Sequence, residues 1–321
     1  MWDERREIIE LVCDLGEEVR SAVRPLLGSE AAKGIAGHGA TGDTTFCIDE
    51  VAEKKIEEFL GDHLNIAYYT EDAGLVVPEK PEFLLVIDPI DGTRPAAAGL
   101  ECCCVSVAVS EFKPGRLGSL TLADVFFAFL TEIKNRATYT GLKGHGARIE
   151  IDGKEHRPRL SGKTDLSSMF WTSGFRGRPA EPLVTVLGEL IDTSSVDGGY
   201  FDLGSATFDI TRVILGEMDA YVDVGQRMVD VEAVKEMFLE VGHGAILNNY
   251  PYDLAAAALI ASESGVVVSD AYGESLDPFP LVPPEGEGQM SSIVSANPVL
   301  HGKILAQVES GMERLAVKFG G

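Results

Sequence analysis

The 321-residue chain has no apolar run approaching the roughly 18 residues a membrane-crossing helix needs, so no membrane span is expected. Its start, Met1-Trp2-Asp3-Glu4-Arg5-Arg6, is charged where a secretory leader would turn apolar, and a cytoplasmic location is the expectation. Cysteine is scarce. Cys13, Cys47, Cys102, Cys103 and Cys104 are odd in number and contain no CxxC, which argues against a disulfide framework or a zinc knuckle. The six histidines form no HExxH or paired spacing, so neither a His-based zinc site nor a Ser-His-Asp relay is expected. Positive charge is short as well: 27 Lys+Arg stand against 51 Asp+Glu, a net charge of −24. No basic patch is visible to outweigh that field, so nucleic acid is not expected as a partner. A small anionic ligand would also be repelled unless its pocket held a cation, which is a first hint of metal.

What is present describes a globular chain. It is 45% hydrophobic and 24% charged, and its length suits two lobes or one large layered domain. Residues 1–27 show an amphipathic helical spacing ended by Gly28, followed by a Gly-rich loop from Gly34 to Gly42. A helical pattern restarts over Asp43–Leu60, with Asp49 placed to cap it. Strands are expected at 65–70, 82–88, 102–109 and 120–130, with a hairpin region over 137–152. The lack of a long helix among them points to a largely antiparallel sheet. In the Cys102–Val109 strand neighbouring side chains face opposite ways, so the three thiols should not converge. Further on, helices at 182–191, 205–215, 231–241 and 254–264 alternate with short strands at 169–172 and 266–269. Residues 278–288 read as a surface loop. The expected division is an α+β half over 1–195, carrying most of the acidic candidates, and an α/β half over 196–321 that completes the site.

The chemistry concentrates in Leu84-Leu85-Val86-Ile87-Asp88-Pro89-Ile90-Asp91-Gly92-Thr93. A buried strand runs into two acids, and buried carboxylates are costly unless their charge is compensated. Pro89 fixes the turn and Gly92 lets backbone approach a ligand, so Asp88, the Ile90 carbonyl and Asp91 could aim at one point. All-oxygen ligation of that kind suits Mg²⁺. A strand-turn capped by Asp stays open as the plain alternative. Two further acids sit at element ends: Glu71, after the strand 65–70, and Asp253, at the start of an Ala-rich helix, where an ordinary N-cap would also account for it.

These segments together resemble the inositol monophosphatase/fructose-1,6-bisphosphatase superfamily of Mg²⁺-dependent phosphatases. Asp88–Thr93 matches the Asp-Pro-hydrophobic-Asp-Gly-Thr signature, and Thr70-Glu71-Asp72 stands where the family has a Glu-Glu pair. Gly144-His145-Gly146-Ala147, Gly204-Ser205-Ala206, Asp219–Asp223 and Asp253 with Glu263-Ser264-Gly265 follow in the family's order. The resemblance implies a layered α/β sandwich with alternating helices and sheets, a homodimer, and metal ligands Glu71, Asp88, the Ile90 carbonyl, Asp91 and Asp253. Two Mg²⁺ are implied, and a third weaker site would use Glu71 with Asp43 or the Gly-rich loop. It further implies that Gly92 and Thr93 bind phosphate, that Glu71, Thr93 and Asp49 serve catalysis, and that Asp49 holds the Thr93 hydroxyl to orient the attacking water. Ala206 and Asp223 would lie along the alcohol of the substrate.

The chain departs from the family pattern after the signature. Arg94-Pro95-Ala96 replaces the usual x-Asn-Phe, an Arg normally before Gly-Ser-Ala is missing, and Tyr252 stands for a Trp. The implied activity is release of phosphate from inositol monophosphate or fructose 1,6-bisphosphate, with 3′-phosphoadenosine 5′-phosphate behind them. A bisphosphate would need a basic contact remote from the metals. Arg94, Arg176, Arg178 and Arg227 are candidates, although each reads first as a solvated arginine, with Arg94 expected beside the entrance. A catalytically silent binding or regulatory protein on the same fold is the rival reading.

Overall fold

The computed structural model describes residues 2–320 except 40, 41, 43, 114 and 285. The three- and four-residue spacing of Ile8, Val12, Leu15, Val19 and Val23 makes one buried stripe of α1 (Trp2–Val23). A short hairpin, β1 (Ile35–His38) with β2 (Thr44–Phe46), leads into α2 (Cys47–Leu60). Then come β3 (Ile66–Thr70), β4 (Gly74–Val76), β5 (Phe83–Asp91), α3 (Thr93–Ala98), β6 (Cys104–Glu111), β7 (Val125–Glu132), β8 (Ala137–Leu142), β9 (Gly146–Ile151) and β10 (Lys154–His156). These strands form one eight-stranded sheet in the order β10-β9-β8-β7-β6-β5-β3-β4. Its pairings are antiparallel except where β3 lies parallel to β5.

A second sheet uses β11 (Phe170–Ser173), α4 (Ala180–Ser194), β12 (Gly199–Phe201), α5 (Ala206–Leu215) and β13 (Ala220–Asp223). After α6 (Gly225–Met228), α7 (Glu232–Val241) and α8 (Pro251–Glu263), the chain adds β14 (Val267–Ser269), β15 (Ser292–Ser295) and α9 (Pro298–Phe319). The order is β12-β11-β13-β15-β14, parallel on one side of β13 and antiparallel on the other.

Five layers are held by three cores, the central one reaching from one sheet through α5 and α8 to the other, in keeping with the expected sandwich. α1 and α2 pack on one face of the large sheet, α5 and α8 fill the space between the sheets, and α4 and α9 cover the outer face of the second sheet. Period-two alternation drives this. On β5, Leu84 and Val86 enter the central core while Leu85 and Ile87 face α1 and α2. Cys103 and Cys104 likewise point into different cores, so the cysteine run converges on nothing.

Several expectations are corrected. The Gly-rich segment is not all loop, because β1 lies within it. The helix expected from Asp43 begins at Cys47, and Asp43 itself lies outside the described residues. Asp49 is the third residue of α2 rather than its cap: its Oδ2 accepts from the Phe46 N–H at 2.8 Å. Asp253 takes the same position in α8, which starts at Pro251. The strand expected over 120–130 starts only at Val125, after a 3-10 turn over Leu122–Asp124 that is braced by the Asp124 carboxylate accepting from Thr121 N–H at 3.0 Å. The long helix α9 was not anticipated, although Asn297-Pro298 followed by Leu300, Ile304, Val308, Met312 and Leu315 signals it.

Candidate active site

Two buried acids end β5. Asp88 and Asp91 are 1% and 7% exposed. Between them the pairing with β6 slips, and Pro89 has no N–H to give to the ladder. The slip turns the backbone so that Asp88 Oδ1 accepts from the Ile90 N–H at 3.0 Å. Gly92 then carries φ +91°, and a Cβ there would lie 2.4 Å from the Cys102 carbonyl oxygen. Only glycine makes that close approach.

The other elements supply donors that fix each carboxylate. Asp91 Oδ2 accepts from Ser205 Oγ at 2.8 Å and from Thr207 N and Thr207 Oγ1, each at 2.6 Å, at the start of α5. Asp253 Oδ2 accepts from the Tyr250 N–H at 2.6 Å, at the start of α8. One oxygen from each of Asp88, Asp91 and Asp253 lies within 4.8 Å of the others. Glu71, just beyond β3, lines the same cleft outside that group of three.

Electrostatics sharpen the picture. Burial pushes the Asp88 carboxyl well above the ordinary range, and the charges of Asp91, Asp253 and Glu71 add to it. Burial, then Asp91, pushes Asp253 up to about 7. Asp91 is also raised by burial, against which the Thr207 and Ser205 donors work. Three carboxylates crowded in a cleft resist being ionised together. A hard divalent cation removes the conflict, and the donor set, all oxygen, fits Mg²⁺.

The cleft is small, ≈ 40 Å³, and its wall includes Gly92, Thr93, Arg94, Arg176 and Gly204. Thr93 Oγ1 lies 3.0 Å from Asp49 Oδ1 and 3.1 Å from the Ile90 carbonyl oxygen, so its one proton has two acceptors. Ala206 and Asp223 do not line the cleft. Ala206 is 6% exposed at the start of α5. Asp223 is wholly buried, ion-paired with Arg178, and accepts from Gly225 N at 2.7 Å and Asn249 Nδ2 at 3.1 Å. Arg178 and Arg227 are therefore not solvated arginines. Arg178 is locked on Asp223, and Arg227 pairs with Glu309 and donates to the Ala271 carbonyl at 2.8 Å. Arg94 is exposed, with its guanidinium 5.5 Å from the Phe46 ring centre. Sequence reasoning missed Thr207 as the brace of Asp91, although a Ser-x-Thr step opening a helix is the available signal.

The chain is similar to known proteins over nearly its whole length. The profile of the inositol monophosphatase family matches residues 2–313. The fructose-1,6-bisphosphatase/inositol-1-monophosphatase of Methanothermobacter thermautotrophicus is 27% identical over 303 residues, covering 92% of this chain and 94% of that protein. The bifunctional NADP phosphatase/NAD kinase of Methanocaldococcus jannaschii is 25% identical over 328 residues, and the match spans 95% of this chain but 51% of that longer protein. Among solved structures, a Thermotoga maritima inositol monophosphatase superposes with a TM-score of 0.66 at 20% identity, covering 96% of this chain and 99% of that one.

Proposed function

The chain belongs to the inositol monophosphatase family and is a phosphatase, and from that premise we propose that it is a Mg²⁺-dependent hydrolase of inositol or sugar phosphate monoesters. The observation that carries the reading is the trio of carboxylate oxygens, Asp88 and Asp91 from the end of β5 and Asp253 from the start of α8, gathered within 4.8 Å of one another.

Asp88, Asp91 and Asp253 would hold the metal, with Glu71 and the Ile90 carbonyl completing two sites. Mg²⁺ bound there supplies positive charge against the phosphoryl oxygens and lowers the pKa of water. The protein's own part is orientation. Ser205 and Thr207 hold Asp91, and the Tyr250 N–H holds Asp253, so these ligands need no rearrangement to receive charge. Gly92 and Thr93 meet the phosphate with backbone N–H groups. The Thr93 hydroxyl, donating to Asp49 Oδ1, presents a lone pair to the attacking water, and Glu71 accepts its proton.

The similarity to a fructose-1,6-bisphosphatase/inositol-1-monophosphatase favours those two esters, and the similarity to a bifunctional NADP phosphatase/NAD kinase adds NADP to the test. Phosphate release is measured with Mg²⁺ on inositol 1-phosphate, fructose 1,6-bisphosphate, 3′-phosphoadenosine 5′-phosphate and NADP. Turnover of the first two, abolished by EDTA, is the expected result. Inertness towards the whole panel would hand the chain to the silent-scaffold reading.

A further inference from the structure

Two arginines, Arg94 and Arg176, share the cleft wall with Asp88, Asp91 and Asp253. Cations on the wall of an acidic cleft oppose metal binding by charge and favour an anion bound beside the metal. Arg176 is half-buried.

The backbone that carries Arg176 is anchored with care. Arg178 Nη1 donates to the Arg176 carbonyl at 2.5 Å and to the Leu247 carbonyl at 3.2 Å. Its Nη2 pairs with Asp223, and the two side chains are 3% and 0% exposed. Glycines make the room: a Cβ on Gly174 would lie 2.5 Å from Asp223 Oδ2, and one on Gly225 would lie 2.9 Å from Arg178 Nε. A fully desolvated ion pair is a poor source of stability but a firm geometric constraint. It also consumes Asp223, the carboxylate that the family resemblance places along the alcohol of the substrate.

We propose that Arg176 is an anion-binding residue of this cleft that contacts the phosphoryl group of the substrate, and that the buried Arg178–Asp223 pair is the positioning device that aims it. Recognition thereby moves from the alcohol to the phosphate. The identity of the anion rests on the phosphatase reading, while the anion site itself is tested separately.

The test is calorimetric titration of inorganic phosphate into the Mg²⁺-loaded protein, alongside ester hydrolysis. Arg176→Ala should weaken phosphate binding and raise KM by about 10- to 100-fold, the loss of one charge-assisted hydrogen bond, with kcat changed less. Arg176→Lys should regain part of the affinity. Asp223→Asn should show a smaller loss of the same kind, and none beyond it in an Arg176→Ala background. The Mg²⁺ half-saturation measured without phosphate should stay level or fall in Arg176→Ala. Wild-type phosphate affinity in Arg176→Ala, a parallel weakening of Mg²⁺, or no phosphate binding by the native protein would each overturn the assignment. Native protein that binds phosphate through Arg176 yet hydrolyses no ester would sink the proposed function and leave this assignment standing.

Discussion

At the scale of single residues the site depends on two kinds of side chain. Gly92 is there for what it lacks: at φ +91°, with the Cys102 carbonyl oxygen 2.4 Å and Ser205 Cβ 2.9 Å from any added Cβ, alanine must push β5 away from α5. Gly92→Ala should cost roughly 2–4 kcal/mol in urea unfolding, from the left-handed backbone plus overpacking, and should remove activity with it. Thr93 and Asp49 are placed to act as one unit, since Thr93 Oγ1 lies 3.0 Å from Asp49 Oδ1 and Asp49 Oδ2 is held by the Phe46 N–H. Thr93→Ala and Asp49→Asn should each lower kcat on the order of 10–100-fold. The double variant should be little worse than either, and multiplicative losses in the kinetic cycle would separate their roles.

At the scale of elements, the first turns of α5 and α8 each fix an acid of the cleft. α5 does so with its Thr207 N–H and with the hydroxyls of Ser205 and Thr207, and α8 with the Tyr250 N–H at its N-cap. The first turn of α9 is docked differently. Its His301, 6% exposed, lies between Ser269 Oγ at 2.9 Å from Nε2 and Ser295 Oγ at 2.8 Å from Nδ1, on β14 and β15. Burial lowers its pKa below the ordinary 6.5, so the folded chain prefers the neutral ring. That stability is complete above about pH 6.5 and drains as pH falls through that value towards the folded pKa, because the unfolded chain then binds the proton more tightly. Between pH 7.5 and 5.5 the native protein should lose more unfolding free energy than His301→Gln, by no more than about 1.4 kcal/mol per pH unit. Parallel urea-derived profiles for the two proteins would show that His301 is not the titrating group.

At the scale of the whole molecule, metal binding and folding are linked, because the acids come from β5, the β3 end and α8, far apart in the chain. Repulsion among them is a fixed cost of the metal-free fold. MgCl₂ should therefore raise the melting temperature more than NaCl at matched ionic strength. Asp88→Asn should abolish that difference. In EDTA it should melt higher than the native protein, since it removes a buried charge that Asp91, Asp253 and Glu71 repel. Calorimetric melts in the two salts and in EDTA read all three comparisons. An unchanged Mg²⁺ response in Asp88→Asn would place the metal elsewhere.

The sequence by itself determined the periodic parts and the local motif. Alternation along β5 and the stripe of α1 follow from residue spacing, and the Asp88–Thr93 run carries its turn chemistry within six neighbouring positions. What it left undecided was every relation between distant segments. Asp49 and Asp253 read as caps because cap and third-position acids look alike until the helix start is seen. Arg178 and Arg227 read as solvated because nothing in their neighbourhood announces Asp223 or Glu309 as partners. Only the packing of α5 and α8 between the two sheets brought Asp91, Thr207 and Asp253 together, and the same packing withdrew Asp223 from the cleft. The physical reason is that charge compensation and desolvation depend on distances across the fold, and those are settled by which cores bury which faces.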